Sequence, residues 1–128
     1  MKIQPNGADR EAARLFKPAG GMLFAWLNAS GHWVWERVAD WHDGRWPVEG
    51  LVPGEGAVFD TDDPATVGCM LVQAEAAIRG FMVARDVMGN GKWRAWGNVW
   101  DKNDHTVFID GSTRGAALVA AMRALRPR

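Results

Sequence analysis

The sequence has one cysteine, no tyrosine and no excess of either charge. Of its 128 residues, 15 are Lys or Arg and 15 are Asp or Glu, so the formal net charge at pH 7 is zero. A neutral chain has no long-range field that draws it onto nucleic acid or anionic lipid. Cys69 by itself excludes a disulfide within the chain and a cysteine-based zinc site, and it suits a reducing compartment.

Long apolar runs are also missing. The first residues, MKIQPNGADREAARLF, lack the uninterrupted apolar core of a signal peptide. No run approaches the roughly 20 apolar residues of a membrane span. The sequence therefore predicts a cytoplasmic protein that has no membrane partner.

No catalytic or metal-binding pattern stands out in the sequence. The GxSxG elbow, the phosphate-binding loop and the GxGxxG turn are missing, and His32, His42 and His105 are scattered over three segments. The carboxylates in FDTDDP suggest a Mg²⁺ or Ca²⁺ cluster, but an Asp ahead of Pro64 is better interpreted as a helix cap. We expect no enzymatic activity, no cofactor and no metal.

The N-terminal half is predicted to hold a helix, a hairpin and a long connection. Ala8 to Lys17 has a helical apolar pattern that ends at Pro18. MLFAWL and HWVWERV flank the polar NASG and favour a hairpin, although helical stripes also fit them. Residues 39–60 are rich in glycine and proline, so they predict a functional excursion, a flap pinned by Trp41 and Trp46, or an unrecognised strand.

The C-terminal half has a clearer pattern. Apolar residues at three- and four-residue steps predict helices over 63–79 and 113–126. Between them, FMVARDVM and GKWRAWGNVW meet at Asn90-Gly91, which favours a tight hairpin, and HTVFID supplies a third strand. The prediction is a single α+β domain in which two helices pack on an antiparallel meander, with an N-terminal helix and an extra hairpin that extends or caps the sheet.

Tryptophan is the residue present in unusual number, with eight copies. In a strand, Trp93 points to one face while Trp96 and Trp100 point to the other, so at least two of the three are expected to be packing residues. Trp33, Trp35, Trp41 and Trp46 form a second group. Because tryptophan is enriched at binding hot spots, we expect a partner wherever such a group reaches the surface.

Three stretches carry a family resemblance. FDTDDPATVGCMLVQAE, the strand with KWRAW and the ending STRGAALVAAMRALR together resemble the phage ABA-sandwich family of small phage and prophage proteins of unknown function. The matching residues are Phe59, Thr61, Asp62, Pro64, Trp93, Ala116, Ala117, Ala120, Arg123 and Leu125. The resemblance covers about residues 57–126, leaves 1–56 as a tryptophan-rich extension, and implies no established activity.

The resemblance and the composition together predict a non-enzymatic phage or prophage accessory protein in the bacterial cytoplasm. It is expected to bind a host or phage macromolecule, and a protein partner is favoured over nucleic acid. A homodimer is also compatible with the sequence. The alternatives are an inhibitor of a bacterial defence nuclease and a small sugar-binding or hydrolytic module that uses Trp96, Trp100 and the Asp cluster. The predicted contact residues are Trp33, Trp35, Trp41, Trp46, Trp96, Trp100 and Arg94.

Overall fold

The computed structural model describes residues 2–40, 44–98 and 106–126, and these residues form three helices and six strands. The chain divides into two compact units, Met1–Cys69 and Met70–Arg128. The elements in chain order are α1 (Gly7–Leu15), β1 (Leu23–Leu27), β2 (Trp33–Arg37), β3 (Ala57–Phe59), α2 (Pro64–Ala77), β4 (Met82–Arg85), β5 (Trp93–Asn98), β6 (Thr106–Gly111) and α3 (Arg114–Leu125). The fold is α+β, as predicted.

The first unit contains a three-stranded antiparallel sheet in the order β2-β1-β3. The predicted hairpin is confirmed, with Leu27 opposite Trp33 at its turn end. Strand β3 is the unrecognised strand that was one of the predicted alternatives for residues 39–60. Its Phe59 pairs with Phe24, which makes β1 the central strand. The hairpin therefore belongs to a sheet of its own and does not extend the C-terminal meander.

Both ends of α1 follow from local sequence. The Asn6 side chain accepts the Asp9 N–H at 2.9 Å and Asp9 accepts the Asn6 N–H at 3.0 Å, which is a reciprocal capping box. The helix ends at Leu15 because Phe16 is already extended, slightly before the predicted end. Ala12, Ala13 and Phe16 are buried, so docking on the sheet stabilises this short helix.

Asp63 is the residue that caps α2. Its Oδ2 accepts the Thr66 N–H at 3.0 Å, and Pro64 occupies the first helical position, where a missing N–H costs nothing. Four members of the predicted apolar stripe are buried: Val67, Met70, Ala74 and Ile78.

The second unit is built on the meander β4-β5-β6. The prediction of three antiparallel strands is confirmed, but the tight hairpin at Asn90-Gly91 was wrong. The strands separate after Arg85, because the Asp86 side chain accepts the Gly89 N–H at 2.9 Å and the Asp86 carbonyl accepts the Gly91 N–H at 2.9 Å. The turn therefore runs over residues 86–92.

Helix α3 covers one face of this meander. Thr113 caps it by accepting the Ala116 N–H at 3.1 Å, and its predicted apolar face is buried. Gly111 permits the close approach of α3, because a Cβ there would clash with the Ala117 backbone. A Cβ at Gly97 would clash with Ile78, which follows α2. Both glycines lie on the face of the sheet that α3 covers.

Candidate functional site

Among residues 2–40, 44–98 and 106–126, no helix covers one face of the second unit's sheet. Trp93, Ala95 and Gly97 lie on the α3 side, where Arg114 sits over the Trp93 ring at 5.8 Å. Trp96 points to the opposite face, as predicted, and Arg94 shares that face. The cross-strand register adds further side chains to that face: Met82, Ala84, Phe108 and Asp110. We call it the open face.

An apolar row crosses all three strands of the open face. Met82 lies opposite Trp96, and Trp96 lies opposite Phe108. The Trp96 and Phe108 rings are tilted, with centroids 5.9 Å apart. Met82 is 56% exposed and Phe108 60% exposed, which is unusual for large apolar side chains that are neighbours. The row is therefore a contiguous apolar surface.

An ion pair borders this row. Arg94 Nε lies 2.8 Å from Asp110 Oδ1 on the neighbouring strand, and the Arg94 guanidinium lies 6.0 Å from the Phe108 centroid. The hydrogen bond from Arg94 holds the pKa of Asp110 below its usual range, so both groups are charged at neutral pH. The border carries no net charge, because one cation faces one anion.

A small pocket of about 270 Å³ opens on the same face. It is lined by Ala84, Arg85, Asp86, Arg94, Trp96 and Phe108. The concavity arises at Ala84, whose methyl group leaves space between the neighbouring rings and guanidinium groups. Drug-sized ligands occupy pockets of about 300–1,000 Å³, so this volume suits one side chain better.

The turn beside this pocket is closed by hydrogen bonds but presents apolar residues to solvent. Besides the two bonds to Asp86, the Lys92 N–H donates to Asn90 Oδ1 at 2.9 Å and Arg85 Nε donates to the Gly91 carbonyl at 3.3 Å. Val87 is nevertheless 74% exposed and Met88 94% exposed. The turn adjoins the open face at Asp86, which lines the pocket.

The predicted tryptophans of the first unit are separated by its sheet. Trp33 and Trp35 lie on one face of β2, and Arg10 from α1 sits over the Trp33 ring at 5.4 Å. Trp46 is on the other face, stacked on Phe59 at 4.8 Å and edge-on to Phe24 at 6.1 Å. Trp46 thus covers part of the core, as in the predicted flap; the other residue of that prediction, Trp41, lies outside the described residues.

Trp35 lines a second pocket, of about 670 Å³, in the first unit. The pocket is lined by Lys2, Leu23, Trp35, Glu36, Arg37, Asp60, Asp62, Asp63 and Pro64. Its polar groups largely bind one another: Lys2 Nζ lies 2.8 Å from the buried Asp9, 3.2 Å from Asp60 and 2.9 Å from Asp62. Burial alone would lower the pKa of Lys2, but hydrogen bonds to these carboxylates raise it above its ordinary value.

Trp41, Trp100, His42 and His105 lie outside the described residues. Cys69 donates weakly to the Gly20 carbonyl at 3.7 Å, and burial raises the pKa of its thiol, which disfavours the nucleophilic thiolate. Over residues 2–40, 44–98 and 106–126, no group of three or more His, Cys, Asp or Glu side chains is arranged to hold a metal ion.

Comparison with known proteins gives no relative. No protein-family model matches the chain, and no curated protein or solved structure matches it significantly. The resemblance to the phage ABA-sandwich family stays a prediction. Within the part of the chain that the structure describes, no helix has the length and apolar character needed to cross a membrane.

Proposed function

We propose that the chain is a non-enzymatic accessory protein of a phage or prophage that binds a protein of the host or of the phage. The open face of the second unit is its contact surface. The phage origin rests on the sequence resemblance alone. The binding function rests on one observation, the uncovered row of Met82, Trp96 and Phe108.

Exposure of this row costs free energy that a partner would recover. Burying apolar surface stabilises by roughly 25 cal/mol per Å², and aromatic side chains each bury about 150–250 Å². Met82 and Phe108 keep more than half of their surface in water. The rim around them is polar and the centre is apolar, which is the arrangement found at protein interfaces.

The charge at the open face favours a protein over nucleic acid. Single-stranded nucleic acid also stacks on exposed aromatic rings, but its phosphates need a positively charged groove. Arg94 is neutralised by Asp110 at 2.8 Å, and the whole chain has a formal charge of zero. A neutral face fits a protein partner, because binding to a protein does not require a positively charged surface.

Capture from lysate of a candidate bacterial host tests this proposal. The bait proteins are the intact chain, a Met82→Ser Phe108→Ser double variant, and Val72→Ser as the matched control. Val72 is 67% exposed on α2, outside the open face. We expect the intact chain and the control to retain the same protein, and the double variant to retain at least about tenfold less, as loss of hot-spot residues does.

Equal capture by all three baits would overturn the proposal, provided circular dichroism shows the double variant folded. The identity of the captured protein also decides between the two binding hypotheses. A component of a defence nuclease would select the inhibitor, and any other protein would select the general accessory function.

A second candidate function has one observation in its favour. The predicted sugar-binding module needs a concavity that joins a tryptophan to carboxylates, and the first unit has one at Trp35 with Asp60 and Asp62. The tryptophan differs from the predicted Trp96 and Trp100. A saccharide titration monitored at the Trp35 indole by NMR tests this function, and unchanged Trp35 signals across a panel of common hexoses would remove it.

A further inference from the structure

The two units repeat one order of elements. In each, a hairpin turn ends at a glycine with positive φ, and tryptophan follows two residues later: Gly31 and Trp33 in the first unit, Gly91 and Trp93 in the second. In each, a later strand contains Val-Phe and leads to a capped helix. The strand orders differ, β2-β1-β3 against β4-β5-β6. Phe59 ends β3 and pairs with Phe24 of β1, whereas Phe108 lies within β6 and pairs with Trp96 of β5.

Both phenylalanines lie on a sheet face that points away from a helix of the same unit. In the first unit, Trp33 and Val58 share a sheet face, and Arg10 places α1 on that side, so Phe59 points away from α1. In the second unit, the close approach of Gly111 to Ala117 places α3 on the opposite side from Phe108. Each phenylalanine therefore lies on the sheet face that α1 or α3 leaves open.

The first unit covers its phenylalanine with its own chain, whereas none of the residues described in the second unit buries Phe108. Trp46, in the irregular proline-containing segment GRWPVEG (residues 44–50), stacks on Phe59 with an angle of 20° between the rings, and Phe59 is fully buried. Phe108 is 60% exposed. Each unit thus has a phenylalanine next to a second aromatic residue on the sheet face opposite a helix; Trp46 stacks on Phe59, and Phe108 is exposed.

We infer that the open face takes an aromatic side chain of the partner protein, presented on an irregular segment as Trp46 is. This inference rests on the proposed binding function and specifies the chemistry of its partner. The pocket of about 270 Å³ beside Trp96 and Phe108 is the place for the ring. The charge also agrees: GRWPVEG holds one arginine and one glutamate, and the open face pairs Arg94 with Asp110, so neither surface repels the other.

A titration of the full chain with two synthetic peptides tests the inference. The probes are GRWPVEG and its control GRAPVEG, which differ in the indole alone. In two-dimensional NMR spectra we expect GRWPVEG to shift the Trp96 indole and the β5 and β6 amides saturably, and GRAPVEG to shift them at least about fivefold less, because the ring supplies most of the apolar contact. Shifts confined to β1 and β3 would overturn the inference, because the peptide would then be replacing Trp46.

Two variants locate the effect. Ala84→Leu fills the pocket from an exposed position and should abolish the shifts with the fold intact, whereas Val72→Ser should leave them unchanged. An unchanged response in Ala84→Leu would contradict the assignment. A labelled oligothymidine is the parallel probe. Saturable shifts at Trp96 with the oligonucleotide but not with GRWPVEG would overturn the inference, because the ligand of the open face would then be a nucleobase and not an aromatic side chain.

The outcomes separate the inference from the proposed function. If lysate capture depends on Met82 and Phe108 while GRWPVEG gives no saturable shift, the aromatic occupant is wrong and the binding function stands. If capture is indifferent to those substitutions, the binding function fails whatever the peptide does.

Discussion

Asp63 combines a helix cap and an ion pair in one carboxylate. Its Oδ2 accepts the Thr66 N–H at 3.0 Å and Arg37 Nη1 at 2.7 Å, and its Oδ1 accepts Arg37 Nη2 at 2.8 Å. The bond from Arg37, followed by the Thr66 N–H, lowers the pKa of Asp63 below its ordinary 3.8. A lowered pKa in the folded state stabilises the fold above the unfolded pKa. That contribution is lost as the pH falls below about 4, through the folded value.

Two substitutions separate these roles. Asp63→Asn keeps the cap, because asparagine caps about as well as aspartate, but loses the ion pair; Asp63→Ala loses both. At pH 7 we expect Asp63→Ala to be less stable than Asp63→Asn by about 1 kcal/mol in urea unfolding. The gap between the unsubstituted chain and Asp63→Asn should shrink as the pH falls from about 5 to about 2. A gap that widens over this range would contradict the assignment of the lowered pKa to Asp63.

At the scale of elements, the packing of α3 on its sheet depends on a glycine. A Cβ at Gly111 would meet the Ala117 backbone nitrogen, which cannot move without displacing the helix. Gly111→Ala should therefore lower the free energy of unfolding by about 1–3 kcal/mol. Gly68→Ala is the control, because a Cβ there meets nothing within 4 Å and lies in α2. It should stabilise by up to about 1 kcal/mol. Thermal unfolding of both variants tests this contrast, and similar shifts in the two midpoints would refute it.

The elements that the sequence predicted are those whose period is locally visible. The apolar stripes of α2 and α3 and the alternation of Trp93 and Trp96 required no knowledge of distant residues. Strand β3 was not resolved from its glycine-rich surroundings, because it is three residues long and exists through pairing with β1. The tight hairpin failed for a different reason: the Asp86 side chain closes a longer turn before Asn90-Gly91 is reached.

The candidate site was predictable only in part. Trp96 and Arg94 were selected for their residue types, and alternation placed both on one face. Met82 and Phe108 were not selected, although they complete the apolar row. Their exposure depends on which face α3 covers, and α3 lies against the face of Gly111, where its Ala117 backbone approaches closely. The alternating exposure of TVFIDG is a signal that becomes interpretable once the helix position is known.

At the scale of the whole molecule, charge neutrality and the open face act together. The formal charge is zero at pH 7 and the isoelectric point is about 6.8, so copies of the chain have no net repulsion near neutral pH. The apolar row and the turn residues Val87 and Met88 then offer surface for self-association. We expect a solubility minimum near pH 6.8, measured as the polyethylene glycol concentration at half precipitation.

The same double variant, Met82→Ser Phe108→Ser, should remove most of this minimum, because it changes no charge but removes two large apolar side chains from the open face. Val72→Ser removes one exposed apolar side chain elsewhere and should remove little of it. At pH 9 all three proteins carry net negative charge and should precipitate alike. If the double variant precipitated like the unsubstituted chain near pH 6.8, the open face would not be the surface through which the copies associate. The exposure of Met82 and Phe108 would then no longer support a binding site on that face.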